Sequence, residues 1–353
     1  FCVVAAALGA AMHIGKLPPA VPVLERALGI TLLEAGFLLS LVQFAGMCLG
    51  LVTGLAVQRV GLKRSMVGGW IVLGTASMVG SFAESATWLL VTRALEGLGF
   101  LWVVLPGPGL LRMLVPPERI NRMMGIWGTY MPLGTSLALL LGPWAMLLGS
   151  HDSGWRVWWC LLSGVAMLMA LLLMWWVPSD RAAHKPSQSG KGEKTATRTL
   201  LFLTLASRPV WLMALTFAAY SGQWLAVVGF LPTIYAKSGV ASTTAAWLTA
   251  LAAALNMVGN VMAGRLLERG VPAPVLLSTG FVVMGTGTLV AFGIGMGPWW
   301  QYAAIMAFSA VGGLIPATLF SLSIRLAPRP DAVSATVGWL QQWSSAGQFA
   351  VPP

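Results

Sequence analysis

The chain has 353 residues, of which 57% are hydrophobic and only 9% are charged, and its mean hydropathy is +0.81. A soluble domain carries roughly 25% charged residues, so this composition is too poor in polar groups to cover a globule in water. Its long runs of Leu, Ala, Gly and Met lack the alternation of barrel strands and predict an all-α polytopic membrane protein, because a spanning helix satisfies its own backbone.

Apolar segments of spanning length follow one another along the whole chain. We predict eleven of them, with approximate bounds 1–25, 33–57, 65–83, 87–113, 122–148, 155–177, 209–236, 243–266, 272–295, 298–326 and 332–353. The sixth and seventh are separated by a stretch rich in Lys, Arg, Gly, Ser and Pro, which is typical of a solvated linker. We therefore expect a six-helix bundle over 1–178, a cytoplasmic basic linker over 179–207 and a second bundle over 208–353.

The net charge of +11 is distributed unevenly. Most of the 21 basic residues lie in the linker and in the turns that follow even-numbered spans. The positive-inside rule therefore predicts that the N-terminus and the linker are cytoplasmic. The same distribution argues against a nucleic-acid footprint, for which the basic residues would have to cluster on a soluble face.

The two predicted bundles carry related motifs. The stretch 15–18, Gly-Lys-Leu-Pro, has a counterpart at 229–232, and the turn 54–61 has one at 264–270. Such repeats predict two similar halves in parallel orientation. We then expect a twelfth span after the eleventh, so that the last helix is missing from this chain. Phe1 already lies inside an apolar run, so we also expect residues before it.

The turn that begins at Gly54 and ends at Arg64 resembles the loop signature of the major facilitator superfamily of transporters, Gly-x-x-x-Asp-Arg-x-Gly followed by basic residues. Arg59, Gly61 and Lys63 match that signature as well, whereas position 58 carries Gln in place of the family's Asp. The fourth span resembles a second family motif over 93–99, with Glu96 in place of Gln. The fifth span partly matches the antiporter signature at Gly134 and Gly142-Pro143.

The resemblance covers the whole chain and implies the fold of that family, with twelve spans in two six-helix bundles, of which about eleven are present here. Within that family, the sequence loosely resembles the cyanate and nitroimidazole type of transporter. The resemblance also implies that the loop forms a latch between the halves, made by Gly54, Gln58, Arg59, Gly61, Lys63 and Arg64. Gln58 predicts a softer latch, and the alternative is a turn that only sets topology.

Charges within spans are costly, about 2.5–3.5 kcal/mol each on insertion scales, so each one needs a reason. Lys16 lies about halfway along the first span, with His13 one turn earlier on the same face. Pro18, Pro19 and Pro22 follow and must interrupt the helix. Since transporter sites lie at broken helices, we predict that His13 and Lys16 bind substrate. The alternative is a lysine that snorkels to the outer interface.

Two further charges lie one turn apart in the fourth span. Arg93 and Glu96 can pair, and the resemblance implies that the arginine assists proton coupling. Glu96 is the candidate titrating group. The alternative is a purely structural ion pair.

Uncharged polar side chains within spans complete the predicted substrate site. We expect it to include Tyr130, Tyr220, Gln223, Asn256 and Gln341. Each of them has the alternative of a hydrogen bond between helices. Lys16 and Arg93, with no deep acid other than Glu96, favour a small organic or inorganic anion as substrate.

These features predict a secondary active transporter that works by alternating access. The alternatives are a proton-coupled efflux pump for amphipathic drug-like compounds and a non-transporting membrane sensor on the same fold. We expect no enzymatic activity and no cofactor, because metal-ligand spacing and nucleophile motifs are lacking in the sequence. The expected partners are a small-molecule substrate, the lipid bilayer of a bacterial-type inner membrane and, if transport is coupled, protons. We expect a monomer and no nucleic acid.

Overall fold

The computed structural model describes residues 1–150, 152–179, 197–229, 231, 234–235 and 242–350, and within these ranges it contains helices and turns but no strand. The helices of the first half are α1 (Cys2–Gly15), α2 (Val21–Leu28), α3 (Leu32–Val60), α4 (Leu62–Ser81), α5 (Ala86–Val104), α6 (Gly107–Leu114), α7 (Ile120–Gly128), α8 (Tyr130–Met146) and α9 (Gly154–Trp176). Those that follow are α10 (Thr197–Ala206), α11 (Arg208–Trp224), α12 (Ser242–Glu268), α13 (Ala273–Thr288), α14 (Pro298–Gly312), α15 (Leu314–Arg325) and α16 (Val333–Phe349).

The all-α membrane fold predicted from composition is confirmed. Among the described residues, nine segments are long and apolar enough to cross a membrane: Cys2–Leu28, Leu33–Val60, Ala86–Leu114, Pro117–Met146, Gly154–Trp176, Arg208–Val228, Thr244–Glu268, Ala273–Gly293 and Pro298–Arg325. The third and eleventh predicted spans are present as α4 and α16 but do not meet that standard. Helix α4 carries Lys63 and Arg64 in its first turn, and α16 has only 17 residues, among them several Gln and Ser.

Large apolar side chains cover the outside of the helix bundle. Leu212, Val282 and Trp299 are 67%, 63% and 86% exposed, and many other leucines, valines and tryptophans are similarly placed. An apolar surface of this extent is not stable in water and fits a surrounding of lipid chains.

The predicted linker, 179–207, falls largely outside the described residues. Its described C-terminal part differs from the solvated stretch that composition predicted, because it forms α10, in which Leu200 and Thr204 are buried. The apolar run Leu200–Leu203 allows this packing. Two of the four residues of the predicted second copy of the proline motif, Phe230 and Pro232, also lie outside the described residues. The division of the chain into 1–178 and 208–353 stays a prediction.

Helices of the two halves approach each other through glycines. A methyl group at Gly50 on α3 would stand 2.6 Å from the carbonyl oxygen of Gly338 on α16, and one at Gly125 on α7 would stand 2.7 Å from that of Asn260 on α12. Backbones can come this close only where no side chain intervenes. These contacts lie toward the helix ends that carry the basic turns, an end that we call the basic face, and they close the bundle there.

Candidate functional site: a buried charge cluster and a cavity between the halves

Helix α1 ends at Gly15, in the middle of the first membrane segment, as the prolines predicted. Pro18 has no backbone N–H, so the carbonyl of Ile14 lacks its usual partner four residues later. The chain continues as a 3-10 turn over Pro18–Ala20 and then as α2. The break leaves backbone acceptors unpaired inside the membrane, where an unpaired polar group is costly.

The Arg93 guanidinium, on α5, supplies the missing donors. Its Nη1 donates to the carbonyl of His13 (2.5 Å) and its Nη2 to that of Ile14 (3.2 Å). Its Nε donates to the carbonyl of Leu38 on α3 (3.3 Å). Because the C-terminal end of a helix carries a partial negative charge, a cation at this position also stabilises the end of α1 electrostatically.

Glu96 lies between two cations. Its Oε2 accepts a hydrogen bond from Arg93 Nη1 (2.7 Å), and its Oε1 is paired with the Lys16 ammonium. Lys16 also donates to Ser77 Oγ (2.9 Å) and lies 4.4 Å from the centroid of the Trp159 ring. Lys16 is 0% exposed, so the snorkelling alternative is wrong.

The cluster formed by Lys16, Arg93 and Glu96 contains two cations and one carboxylate, all at most 2% exposed. Arg93 and Glu96 lie on α5, and Lys16 directly follows the last residue of α1. Ser77 on α4 and Trp159 on α9 contact the lysine. When all three groups are ionised, the cluster holds one uncompensated positive charge against the carbonyl end of α1. His13 is buried beside it, with its ring edge-on to Trp70 at a centroid distance of 6.2 Å.

A separate cavity of about 90 Å³ lies between the helices of the two halves. Residues of α8 line one wall, and residues of α11, α12, α15 and α16 line the others. Its surface is made of aromatic rings, amides, hydroxyls, two prolines, a glycine and one methionine, and none of the described residues that line it is charged. Such a cavity can hold a small molecule with both apolar and hydrogen-bonding parts.

The structure divides the predicted substrate-binding residues between these two places. Tyr130, Tyr220, Asn256 and Gln341 line the cavity, whereas His13 and Lys16 lie in or beside the charge cluster. Gln223 is half-buried on α11 and is not among the described lining residues. The prediction of one site that contains all of these side chains is therefore not matched by their positions.

Hydrogen bonds hold the predicted cavity residues in place. The Tyr220 hydroxyl donates to Asn256 Oδ1 (3.2 Å), which also accepts from Asn260 Nδ2 (3.0 Å). The Asn256 amide nitrogen donates to the carbonyl of Ser309 (2.9 Å). These bonds join α11, α12 and α14, so Asn256 does form the hydrogen bonds between helices that were its alternative role. Asn256 also lines the cavity, where a ligand can reach it.

Three aromatic residues of the cavity wall were missed by the sequence analysis. Phe217, Trp224 and Phe320 line the cavity together with the predicted tyrosines. An aromatic residue within a span resembles any other core residue, so the sequence has no signal that separates these three from the other aromatic residues of the spans. Only the packing of the helices shows which rings face the cavity.

The predicted latch residues occupy the turn between α3 and α4. A methyl group at Gly54 would collide with the backbone of Ser334 on α16, so this glycine makes a contact across the halves. Gly61 has φ +106°, a conformation that suits glycine. Lys63 donates to the carbonyls of Met174 (2.8 Å) and Val177 (2.5 Å) at the end of α9, within its own half.

The remaining latch residues lie at the surface of the basic face. Arg59 and Arg64 are exposed and Gln58 is half-buried. The glycine packing at Gly54 is thus a contact of this turn across the halves. The part that the basic side chains play in a latch stays a prediction.

Replacing Gln58 with Asp is expected to strengthen the closed basic face. Position 58 is one turn beyond Gly54, which touches α16 at its N-terminal end, where a negative charge is worth about 0.3–1 kcal/mol. The closed state should gain about 2- to 5-fold in population. A cysteine introduced at the buried Ser334 should then react more slowly with a polar thiol reagent. Gln58→Asn is the control, and equal labelling rates in both variants would contradict the latch.

A membrane bundle with a broken first helix, buried charges and a cavity between two groups of helices has the architecture of a secondary transporter. The family model described as Major Facilitator Superfamily matches residues 1–352, and the chain belongs to this family. The family predicted from the loop and the fourth-span motif is thereby confirmed.

Similar proteins include transporters that are named for different substrates. The chain is 24% identical over 259 residues to the multidrug resistance protein MdtH of Aeromonas hydrophila, which covers 73% of this chain and 62% of that protein. It is 27% identical over 204 residues to a gentisate transporter of Corynebacterium glutamicum, with 56% and 44% covered. The chain thus spans less than two thirds of the length of these relatives.

The fold agrees with that of solved family members. The transporter FucP in its outward conformation superimposes with a TM-score of 0.75, covering 99% of this chain and 90% of FucP. The two sequences are 17% identical, so this similarity concerns the fold alone.

Proposed function

We propose that this chain is a secondary active transporter that moves a small molecule by alternating access through the cavity between the halves. The carrying observation is the position of the cavity, walled by α8 on one side and by helices of the second half on the other. Rocking of the halves about such a site exposes it to each face in turn. The glycine contacts at the basic face are those that must separate when that face opens.

The lining of the cavity favours an uncharged or amphipathic substrate. The predicted anion specificity rested on Lys16 and Arg93 facing the substrate. Both cations instead bond Glu96 and are absent from the described cavity wall. Aromatic rings and amides are suited to compounds with apolar surface and a few polar atoms. The similarity to a protein named for multidrug resistance supports the same alternative.

A small anion stays the second candidate. The charge cluster holds one uncompensated positive charge when its three members are ionised, and a charge acts over a long distance in a medium of low dielectric constant. A substrate carboxylate in the neighbouring cavity would be attracted by it.

The charge cluster is the proposed site of proton coupling. Arg93 bonds both Glu96 and the broken end of α1, so a proton gained by Glu96 weakens the ion pair that holds the arginine at the helix break. The protonation of Glu96 is in this way linked to the position of α1, a helix of the half that moves. We also propose, on the positive-inside rule, that the basic face is cytoplasmic.

Binding and flux measurements on purified protein test this function. Thermal stabilisation in detergent is measured with tetraphenylphosphonium, with benzoate and with the uncharged compound benzophenone, in the native protein and in Lys16→Ala. We expect stabilisation by benzophenone that survives the substitution, and flux of the bound probe in reconstituted vesicles. Stabilisation by benzoate alone, lost in Lys16→Ala, would instead establish the anion. Binding without flux would indicate a sensor.

A further inference from the structure

The two cations of the charge cluster differ in whether they can release a proton. An arginine guanidinium stays protonated in proteins, whereas a buried lysine can release its proton and become a neutral amine. Lys16 is 0% exposed, and its Nζ donates a hydrogen bond to Glu96 Oε1. Lys16 and Arg93 are the two side chains described as donors to this carboxylate, so the proton that can move to Glu96 is that of Lys16.

The charge of the cluster limits how many protons it can hold. With all three groups ionised the net charge is +1, and a further proton on Glu96 would leave Lys16 and Arg93 together without an anion. Two unpaired buried cations are strongly unfavourable, because neither water nor a carboxylate compensates for them. If the proton on Glu96 comes from Lys16, however, the net charge does not change. If that proton leaves the cluster altogether, the cluster becomes neutral.

The described groups that surround Lys16 supply no second anion. Helices α4 and α9 contribute the Ser77 hydroxyl and the Trp159 ring, which are both uncharged. His13 on α1 is buried near the ammonium, and a proton on its ring would add positive charge. In the part of the chain that the structure describes, the charged groups that act on Lys16 are therefore the arginine and the glutamate of α5.

We infer that Lys16 and Glu96 share a single exchangeable proton, which passes from Lys16 Nζ to Glu96 Oε1 along their hydrogen bond. One N–H bond breaks and one O–H bond forms, which leaves a neutral amine and a neutral carboxyl group. The hydrogen bond already exists within the buried cluster, so the transfer needs no water. This inference rests on the proposed coupling at the cluster and identifies the source of the proton that Glu96 gains. Lys16 is then a proton carrier as well as a counter-ion.

Two substitutions of Lys16 separate a proton carrier from a fixed charge. In Lys16→Met, Glu96 can still gain a proton, and the cluster then changes between neutral and +1. In Lys16→Arg the cation is permanent, so a proton on Glu96 would raise the cluster to +2. A lysine that acts only as a fixed counter-ion predicts the opposite order, because Arg preserves its charge and Met removes it.

The balance of open and closed states at different pH values is the measured quantity. Spin labels at Val60 and Leu326, on the basic face, report it in vesicles without substrate, in a protein from which the three cysteines have been removed. Between about pH 5 and about pH 9, the ratio of the two label distances should change about 10-fold in otherwise native protein and in Lys16→Met. In Lys16→Arg it should change less than about 2-fold.

The double variant Lys16→Met with Glu96→Gln is the control. Neither residue can then carry a proton, so the label distances should not respond to pH. A response lost in Lys16→Met, a response kept in Lys16→Arg, or a response of native size in the double variant would overturn the inference. If Lys16→Arg does not fold, the comparison of Lys16→Met with the double variant still decides.

Flux in vesicles, measured with tetraphenylphosphonium, benzoate and benzophenone, tests the transport function separately. The expected pattern of pH responses in a protein that moves none of these probes would keep the shared proton and reject transport of these compounds. Flux in a native protein whose label distances do not respond to pH would keep the transport function and overturn the shared proton.

Discussion

Replacing Glu96 with Gln is expected to destabilise the protein by about 3–5 kcal/mol, because it leaves two buried cations without a carboxylate. Lys16 and Arg93 are at most 2% exposed, so water cannot compensate for the loss. Replacing Lys16 with Met should cost much less, about 1 kcal/mol, since the remaining Arg93–Glu96 pair has no net charge. The asymmetry follows from the count of two cations against one anion.

The free energy of unfolding in mixed micelles measures this difference. The double variant Lys16→Met with Glu96→Gln completes the cycle, and it should be more stable than Glu96→Gln alone because one of the two unpaired cations is removed. Equal losses for the two single variants would show that the cluster is hydrated and that its charges do not depend on one another.

Replacing Gly50 with Ala is expected to open the basic face and to slow transport about 10-fold, the effect of roughly 1.4 kcal/mol on the balance of states. The added methyl group would stand 2.6 Å from the carbonyl oxygen of Gly338, a backbone atom that cannot move aside. The α3–α16 contact must then widen, so the state in which this face is closed loses free energy relative to the other.

The matched control is Gly36→Ala on the same helix. Gly36 is exposed and has no atom within 4 Å of the added methyl position, so Ala there should be neutral or slightly stabilising through its better helix propensity. Spin labels at Val60 and Leu326, in a background without Cys2, Cys48 and Cys160, report the opening as a longer distance. The same distance in both variants would contradict a closing role for the glycines.

The helical elements could be predicted from composition because the surroundings of the chain are lipid and not water. In lipid, an apolar segment of about 20 residues has few alternatives to an α-helix, since each backbone group must find its partner within the segment. The break in α1 was predictable for a local reason too, because a proline lacks the N–H that its preceding turn requires. The composition of the linker did not predict α10, because its few apolar residues pack against the bundle although the surrounding sequence is polar.

The site was only partly predictable. Arg93 and Glu96 are one turn apart, so their pairing follows from helix geometry alone. The partnership of Lys16 with Glu96 joins helices that are far apart in the chain, and it depends on how α1 and α5 are rotated toward each other. The sequence predicts Lys16 in the substrate site, since nothing in its local pattern shows that a carboxylate from a distant helix neutralises it.

From the sequence alone came the all-α membrane character, the basic turns, the interrupted first helix and the family, because each depends on residues that are neighbours in the chain. Tertiary structure decided which charges neutralise one another and which side chains face the cavity. Those outcomes depend on the rotation and depth of whole helices, which are set by close backbone contacts such as that of Gly50 with Gly338 across the two halves.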